Sequence, residues 1–394
     1  MTQAKSEPAP TYLLPIFLGS ASFVFLNFGL PIYTRSLGAD AVAIGGMYTA
    51  FTFTMLLARP LVGWALDRYG RRWFFTAAFG FYALSMGVFS QADGLADFYL
   101  ARFVQGLGAS LMWVSARTIV GDLTDVSNRG REMGRMTARS VRGSMVGAFY
   151  GFTLLGMMPI QEAWVLAFAG YGVVAFVGLV VSVKRVSETR VQTPVGKLAP
   201  IVVGQRLRRL LIIVFLSGFA SALIEPIYLI FLQDKFDLPL VVLAMAFFPA
   251  GIVFATLPQY AGTLSDRFGR TPMITAGIAA AALVSAALPW LPHILWVAVL
   301  YTLFSAGWAL ASPAQDALLG DMTSDQTRGR MFGYKEAAAG SGAALGPLAG
   351  GVIYEYVVPE LAFVANGSLL LVTAAVVWIW FHKRDQVSAA VGGR

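Results

Sequence analysis

The chain has 394 residues, of which 57% are hydrophobic and only 13% are charged, whereas a soluble domain carries about 25% charged residues. It has no cysteine, which excludes disulfides and thiolate metal sites, and only two histidines, which disfavours metalloenzyme and histidine-based catalytic chemistry. The formal net charge of +8 requires no nucleic-acid partner, because membrane topology accounts for the basic residues.

Long apolar blocks, separated by charged loops, run through the whole chain. A membrane-spanning helix needs roughly 20 mostly apolar residues, and nearly all the charge lies between the blocks, which disfavours a large buried helical domain. The sequence therefore predicts an all-α membrane protein with about twelve transmembrane helices. The predicted spans are 12–34, 41–65, 73–91, 97–120, 134–158, 163–183, 210–232, 239–261, 273–291, 294–319, 333–354 and 361–381.

Basic residues are concentrated in alternate loops. When both termini are placed in the cytoplasm, the outer loops contain only Arg35 and Lys235 as basic residues. Cytoplasmic loops of membrane proteins carry an excess of lysine and arginine. The pattern therefore predicts a multi-pass protein of the cell (inner) membrane with both termini cytoplasmic.

Two motifs recur in the second half of the chain at one offset. GWALDRYGRR (63–72) matches GTLSDRFGRT (262–271), and GDLTDVSNRGREMG (121–134) matches GDMTSDQTRGRMFG (320–333), each 199 residues later. One ungapped offset for two motifs indicates a duplication. The predicted parts are a six-helix bundle at 1–183, a basic cytoplasmic linker at 184–209 and a second six-helix bundle at 210–394.

The loop motif at 63–72 resembles the signature of the major facilitator superfamily, and so does ARFVQGLGAS (101–110) at the start of the fourth span. The resemblance covers nearly the whole chain. It implies two pseudo-symmetric six-helix bundles around a central cavity, with alternating access by rocking of the two halves.

The residues of this loop have the chemistry of a gate. Gly63 is expected to let the second span approach a neighbouring helix closely. Asp67 ends that span, where its carboxylate would stabilise the N-terminus of a helix in the other half, and Arg71 is expected to pair with Asp122. Simple positive-inside topology is the alternative, which we favour for Arg72 alone.

In the family, such contacts lock the cytoplasmic side in the outward-open state. The resemblance therefore implies a gating role for the set in both halves. These residues are Gly63, Asp67, Arg71, Asp122, Gly262, Asp266, Arg270 and Asp321.

Two ionisable residues lie within predicted spans. Arg102 matches an arginine that the family links to proton coupling, and snorkelling to the outer surface is its alternative. Glu225 precedes Pro226, which loosens the seventh span locally. Because burial disfavours a charged carboxylate, Glu225 is expected to bind and release a proton as water access alternates. A fixed ion pair with an arginine of the first half is the alternative.

Four arginines share one face of the fifth span, since residues 131, 135, 139 and 142 are spaced by four, four and three. The two deepest, Arg139 and Arg142, have Ala338 and Ser341 as counterparts in the second half. They are interpreted as a site for a carboxylate or phosphate, as ion pairs that close the cytoplasmic side, or as snorkelling side chains.

Charges of the opposite sign lie in the second half. The counterpart of Arg117 on the fourth span is Asp316 on the tenth, and Lys335 and Glu336 lie on the eleventh. Asp316 and Glu336 are the expected partners of the fifth-span arginines. The two acids complete the candidates for proton coupling, which are Arg102, Glu225, Asp316 and Glu336.

A glycine-rich run, GSGAALGPLAGG (340–351), lies on the eleventh span, and its core resembles the antiporter motif of the same family. In the family that motif lies on the fifth span, which here carries GSMVGAFYGF (143–152), without a proline or a final glycine pair. We interpret the eleventh-span run as a site of close helix packing and a bend.

Aromatic residues are candidates for the lining of an amphipathic cavity. Trp113 shares a helical face with Arg102 and Arg117, and Tyr301 and Trp308 form the corresponding stripe on the tenth span. Packing or interfacial anchoring is the alternative for such residues. Together with the polar Asn27, the predicted substrate-binding set is Asn27, Trp113, Arg117, Arg139, Arg142, Tyr301 and Trp308.

These features predict a secondary active transporter of small amphipathic organic solutes, with proton-coupled efflux as the first choice. The sequence has no GxxxxGK[ST] loop, which disfavours an ATP-driven pump. The alternatives are an organic-anion or lipid-phosphate transporter, including a flippase, and a non-transporting membrane receptor or assembly factor. An enzyme is not predicted. The expected partners are a small-molecule substrate, protons and membrane lipids, without a cofactor, and the expected state is a monomer.

Overall fold

The computed structural model describes residues 11–124, 126–190, 204–238, 240–323 and 328–392. Within these ranges the side chains at 126–131, 240, 241, 244, 254, 255, 258, 259, 262, 263, 266, 328–330 and 383–392 lie outside the description. Every regular element of the described part is helical. The α-helices are α1 (Leu13–Gly19), α2 (Phe23–Ser36), α3 (Ala41–Tyr69), α4 (Arg72–Gln91), α5 (Leu95–Leu123), α6 (Val126–Met157), α7 (Ile160–Arg185), α8 (Gln205–Phe236), α9 (Leu240–Ala246), α10 (Phe248–Thr256), α11 (Pro258–Phe268), α12 (Arg270–Ala287), α13 (Ile294–Asp321), α14 (Arg328–Tyr356) and α15 (Pro359–Gly392).

Each predicted span corresponds to a helix or to a group of helices. Helices α1 and α2 share the first span, α9 to α11 form the eighth, and each of the others matches one span. In the described part, 8 helical segments are long and apolar enough to cross a membrane by length and composition alone. Helices α5, α6 and α14 are outside that group. The predicted all-α membrane fold is confirmed.

Prolines divide the eighth span, which the sequence predicts as one helix. Pro249 lies in the first turn of α10, and Pro258 begins α11. Proline has no backbone N–H and its ring clashes with the preceding helical turn. A new helix therefore begins at Pro258 and one residue before Pro249.

The helices form two compact units. The first unit comprises the described residues 11–39 and 50–190, and the second comprises 40–49 and 204–392. Each unit has its own apolar core, built mainly on α4 and α5 in the first and on α8, α12, α13 and α15 in the second. The predicted division at residues 184–209 stays a prediction.

The first turns of α3 belong to the second unit. The backbone N–H of Ala41 donates to Oε2 of Glu355 at 3.0 Å. A Cβ atom on Gly45 would overlap the carbonyl oxygen of Pro347, so α3 and α14 approach closely there. A carboxylate at a helix N-terminus satisfies a free N–H and interacts favourably with the helix dipole.

A glycine stripe packs α6 against α1 and the turn after it in the first unit, and another packs α14 against α8 in the second. A Cβ atom on Gly147 of α6 would overlap the carbonyl oxygen of Ala21, and a Cβ atom on Gly350 of α14 would overlap that of Leu223. Helices in a membrane gain no hydrophobic driving force from one another, so small residues that permit backbone approach take its place. The close packing expected on the eleventh span is found in both halves.

We expect Gly147→Ala to lower the stability of the fold by about 1–3 kcal/mol, because the added methyl group must displace the backbone of Ala21. Gly80→Ala is the matched control, since a Cβ atom on Gly80 of α4 meets no atom within 4 Å. That control should be neutral or stabilising by up to about 1 kcal/mol through helix propensity. Thermal unfolding in detergent measures both, and equal melting temperatures would contradict the prediction.

Candidate functional site

Arg71 lies at the junction of α3 and α4 and is held by three groups of the first unit. Its Nε donates to Oδ2 of Asp122 at 3.0 Å, and its Nη1 donates to the carbonyl oxygen of Leu66 at 2.8 Å. Its Nη2 lies 3.7 Å from Oδ1 of Asp67. Arg71 itself is only 9% exposed. The predicted pairing of Arg71 with Asp122 is therefore present in the structure.

The second unit repeats this arrangement with its own residues. Arg270 Nε donates to Oδ2 of Asp321 at 3.2 Å, and Arg270 Nη1 donates to Oγ of Ser265 at 2.6 Å. The partners lie 51 residues after and 5 residues before the arginine in both units. Gly262 and Asp266 lie on α11, but their surroundings fall outside the described residues.

Two residues of the loop lie at its surface. The side chain of Asp67 is 80% exposed, and its Oδ1 lies 3.7 Å from Nη2 of Arg71; its expected cap on a helix of the other half stays a prediction. A Cβ atom on Gly63 would meet nothing within 4 Å. Among the described residues, no helix approaches Gly63 closely, and the expected close contact stays a prediction.

A carboxylate that sequence reasoning missed caps α4. Glu188 follows the end of α7 and accepts hydrogen bonds from the backbone N–H of Arg71 at 2.9 Å and of Arg72 at 3.2 Å. Gly70 has a φ of 100°, and a Cβ atom there would collide with this carboxylate. Glycine is thus required both for the left-handed turn and for the approach of Glu188.

The segment 188–190 makes two further contacts with the loop around Arg71, which is called the arginine loop below. Thr189 Oγ1 donates to Oδ2 of Asp122 at 3.0 Å, and Arg190 Nη1 donates to the carbonyl oxygen of Arg68 at 2.8 Å. No local motif reveals this segment in the sequence, because its role depends on the path that the chain takes after α7. The only signal is an acid and a hydroxyl just beyond a helix end.

Hydrogen bonds lower the pKa of Glu188. Burial alone would raise it, but four backbone N–H groups outweigh that effect and hold the pKa below the usual 4.5. The donors are the N–H groups of Arg71, Arg190, Arg72 and Thr189. The segment therefore binds the loop with a charged carboxylate at neutral pH.

Arg102 is buried within the first unit. It is only 2% exposed, which excludes snorkelling to the surface as its arrangement in this structure. Its Nη1 donates to Oε1 of Gln105 at 3.0 Å, and its guanidinium carbon lies 5.5 Å from the centre of the Phe51 ring. A charged group on a neutral amide and an aromatic face avoids the full cost of burial in a membrane. Sequence reasoning missed Gln105.

Glu225 lies on an aromatic face of the second unit. It is exposed on α8, and its charge acts on the hydroxyl of Tyr301. The Tyr301 ring centre lies 5.1 Å from that of Tyr228 and 4.6 Å from that of Phe247. This face joins one carboxylate to several rings, which is the composition of a site for amphipathic molecules.

The remaining aromatic candidates are placed as follows. Phe304 links Tyr301 to Trp308, at 5.9 and 6.5 Å between ring centres. The buried Nε1 of Trp308 has no hydrogen-bond partner in the described part of the chain. In the first unit Trp113 stacks on Phe23 at 6.4 Å.

The other predicted residues are not gathered into one cluster within a unit. Asp316 forms an ion pair with Lys335 of α14, whose side chain is only 11% exposed. Arg139 and Arg142 are exposed on α6 and form no hydrogen bond or ion pair with any described residue. The remaining candidates lie on the helices expected for them. Asn27 on α2 and Arg117 on α5 are exposed, and Glu336 on α14 is partly buried.

No group of three or more potential metal ligands occurs in the described ranges.

A family model described as "Major Facilitator Superfamily" matches residues 13–317 and 294–394. Multidrug resistance protein 2 of Bacillus subtilis (strain 168) is 22% identical over 95% of this chain and 96% of the relative. Solute carrier family 22 member 18 of Mus musculus is 28% identical over 90% and 91% of the two chains.

Solved structures are similar over nearly the whole fold. The human organic anion transporter MFSD10 (TETRAN) superposes with a TM-score of 0.69 at 19% identity, covering 93% of this chain and 98% of that one. The nucleoside transporter NupG superposes with a TM-score of 0.74 at 14% identity, covering 94% and 97%. At these identities the likeness is one of fold.

We expect Glu188→Gln to lower the stability of the protein at pH 7 by about 0.3–1 kcal/mol, the usual worth of a charge at a helix N-terminus. Because folding lowers the pKa of Glu188, its contribution is complete above the ordinary value of 4.5 and is lost as the pH falls through the lowered pKa. The difference in melting temperature from the wild type should therefore shrink at pH values well below 4.5.

The matched control is Glu162→Gln, which removes an exposed carboxylate in the first turn of α7. It lies near a helix N-terminus, as Glu188 does, but accepts no hydrogen bond from any described group. We therefore expect a smaller pH-dependent difference in melting temperature than for Glu188→Gln. If the difference in melting temperature between Glu188→Gln and the wild type stays constant from pH 7 to low pH, the charge of Glu188 does not stabilise the loop.

Proposed function

This chain belongs to the major facilitator superfamily, and from that premise we propose that it exports small amphipathic organic solutes by proton-coupled alternating access. The multidrug resistance proteins of Bacillus subtilis and Escherichia coli among its relatives support this substrate class. We propose a monomer in the cell inner membrane, with both termini in the cytoplasm.

The observation that carries the proposal is the repeated arginine site. Positive-inside topology needs only a positive charge in a loop, and a lysine anywhere would serve. Instead Arg71 and Arg270 each bind an aspartate 51 residues later and a group 5 residues earlier. Geometry kept in both units supports a mechanical role for the two loops, as alternating access requires.

The aromatic face around Tyr301 supports binding of the solute. Tyr228, Phe247 and Phe304 surround Tyr301 within 5.9 Å between ring centres. Apolar rings with a few polar groups suit drug-sized amphipathic molecules. The unpartnered indole N–H of Trp308 would donate to a polar group of the solute.

Glu225 is the proposed proton carrier. Its carboxylate is exposed on α8 and lies within electrostatic reach of Tyr301, so a proton and a solute would compete for the same face. Binding a solute would then favour release of the proton, and the reverse step would favour release of the solute. This linkage is reciprocal, as coupling between two sites must be.

We expect Arg71→Ala to lower the transport rate about 10- to 100-fold, because loss of a charge-assisted hydrogen bond of about 1.5–3 kcal/mol shifts the balance between two conformations. Solute affinity should change little. Arg72→Ala is the matched control, since the Arg72 guanidinium contacts only the Val183 carbonyl and the Trp73 ring among the described groups. The measurement is the transport rate of the two variants in proteoliposomes. Equal rates would overturn the gating role of Arg71.

We expect wild-type transport in proteoliposomes to be faster with an imposed pH gradient, and Glu225→Gln to remove that dependence while the protein still binds the solute. Glu360→Gln, an exposed carboxylate in the first turn of α15, is the matched control and should keep the dependence. Identical wild-type rates with and without the gradient would overturn proton coupling. A gradient response retained by Glu225→Gln would remove Glu225 as the carrier.

A further inference from the structure

Helix α6 has one packed face and one exposed face. Gly143 and Gly147 lie against the backbone of α1 and of the turn that follows it, and Ser144 Oγ donates to the carbonyl oxygen of Ser20 at 3.0 Å. Residues on the opposite side of the helix are exposed. The packing that fixes α6 therefore also determines which residues it presents outward.

The exposed face changes character along its length. Arg135, Arg139 and Arg142 lie on it first, spaced by four and three residues. Val146 and Phe149 continue the same face, with 60% and 77% of their area exposed. The face is thus cationic towards the start of α6 and apolar towards its end.

The arginines on this face differ in what they bind. Arg135 Nη1 donates to Oε1 of Glu132 at 2.7 Å, so its charge is neutralised within the helix. Arg139 and Arg142 form no ion pair or hydrogen bond with the described residues. Asp316, which the sequence suggested as their partner, is bound to Lys335 instead. Two guanidinium groups on one face therefore have no partner among the described residues.

The two arginines lie inside the predicted fifth span, five and eight residues after its cytoplasmic end at residue 134. They lie 18 and 15 residues before Met157, where α6 ends, which corresponds to about 27 and 22 Å at about 1.5 Å per residue. Both distances fall within the roughly 30 Å of a bilayer core. A charged side chain at membrane depth usually faces a partner or a functional cavity.

We propose that this face of α6 binds an amphiphile with a phosphate or carboxylate head group as a transported solute, which extends the proposed transport function and rests on it. The head group binds between Arg139 and Arg142, whose spacing of three residues brings two planar donor groups to one anion. The apolar part lies along Val146 and Phe149. The occupant is a solute from the aqueous phase, and not a resident lipid of the bilayer.

The chemistry of the face predicts its selectivity. A cationic amphiphile of the same chain length is repelled by the two arginines. Inorganic phosphate meets the arginines but gains nothing from Val146 and Phe149, because apolar burial supplies much of the binding free energy. Both parts of the ligand are therefore needed.

The test measures binding of dodecyl phosphate to the full chain in phosphatidylcholine nanodiscs, with dodecyltrimethylammonium and inorganic phosphate as comparison probes. We expect Arg139→Ala and Arg142→Ala each to weaken binding of dodecyl phosphate about tenfold or more, as loss of a charge-assisted hydrogen bond implies. Arg135→Ala is the matched control on the same face, and it should bind as the wild type does. Because these side chains are exposed, all three variants should melt at the wild-type temperature.

Equal binding of dodecyl phosphate by all three variants, or equal binding of the cationic probe by the wild type, would overturn the proposal. Repeating the titration in nanodiscs that contain phosphatidylglycerol tests the source of the ligand. Loss of dodecyl phosphate binding there would mean that a bilayer lipid occupies the face, and the proposal of a transported solute would fail.

Failure of this site and failure of the proposed function give different results. If transport of neutral amphipathic solutes persists while Arg139→Ala binds dodecyl phosphate normally, only the site on α6 is overturned. If dodecyl phosphate binds as expected but proteoliposomes transport no solute, the proposed transport function is overturned, and with it the role of the face in transport.

Discussion

The hydrogen bond between an arginine and an aspartate 51 residues later anchors the loop chemistry of both units. Arg71 binds Asp122 at 3.0 Å, and Arg270 binds Asp321 at 3.2 Å. Each bond ties the junction between two helices to the end of a third, so a shift of one helix must be transmitted to the others. Charge-assisted bonds to a planar guanidinium are directional, which makes the arrangement suited to two discrete states and unsuited to gradual deformation.

In the first unit, a further contact fixes the loop that contains Arg71. Glu188 binds the N-terminus of α4, and Thr189 and Arg190 bind groups on either side of it. The segment after α7 is thus fastened to the arginine loop just before the chain leaves the first unit. A movement of that segment would weaken the cap on α4, which couples the linker to the loop through ordinary helix capping.

The fold and the arginine pairs followed from the sequence because both depend on local patterns, namely apolar blocks and a motif repeated at one offset. Glu188 did not, because its partners lie 117 and 116 residues away and no periodicity connects them. Asp316 was assigned to distant arginines, yet it binds Lys335 on the neighbouring stretch of chain. Charge complementarity identifies candidate partners, but only the packing of helices selects among them.

The ion pair between Asp316 and Lys335 affects which anions are left to bind Arg139 and Arg142 of α6. Asp316 already forms an ion pair with the buried Lys335, and separating the two would leave a buried charge uncompensated. Duplication preserved the glycine stripe that packs α6 and α14, while Ala338 and Ser341 occupy the places of Arg139 and Arg142. Packing therefore does not require the two arginines. The packed face fixes the position of α6 and Asp316 is paired with Lys335, which leaves room for the proposed anionic ligand of Arg139 and Arg142.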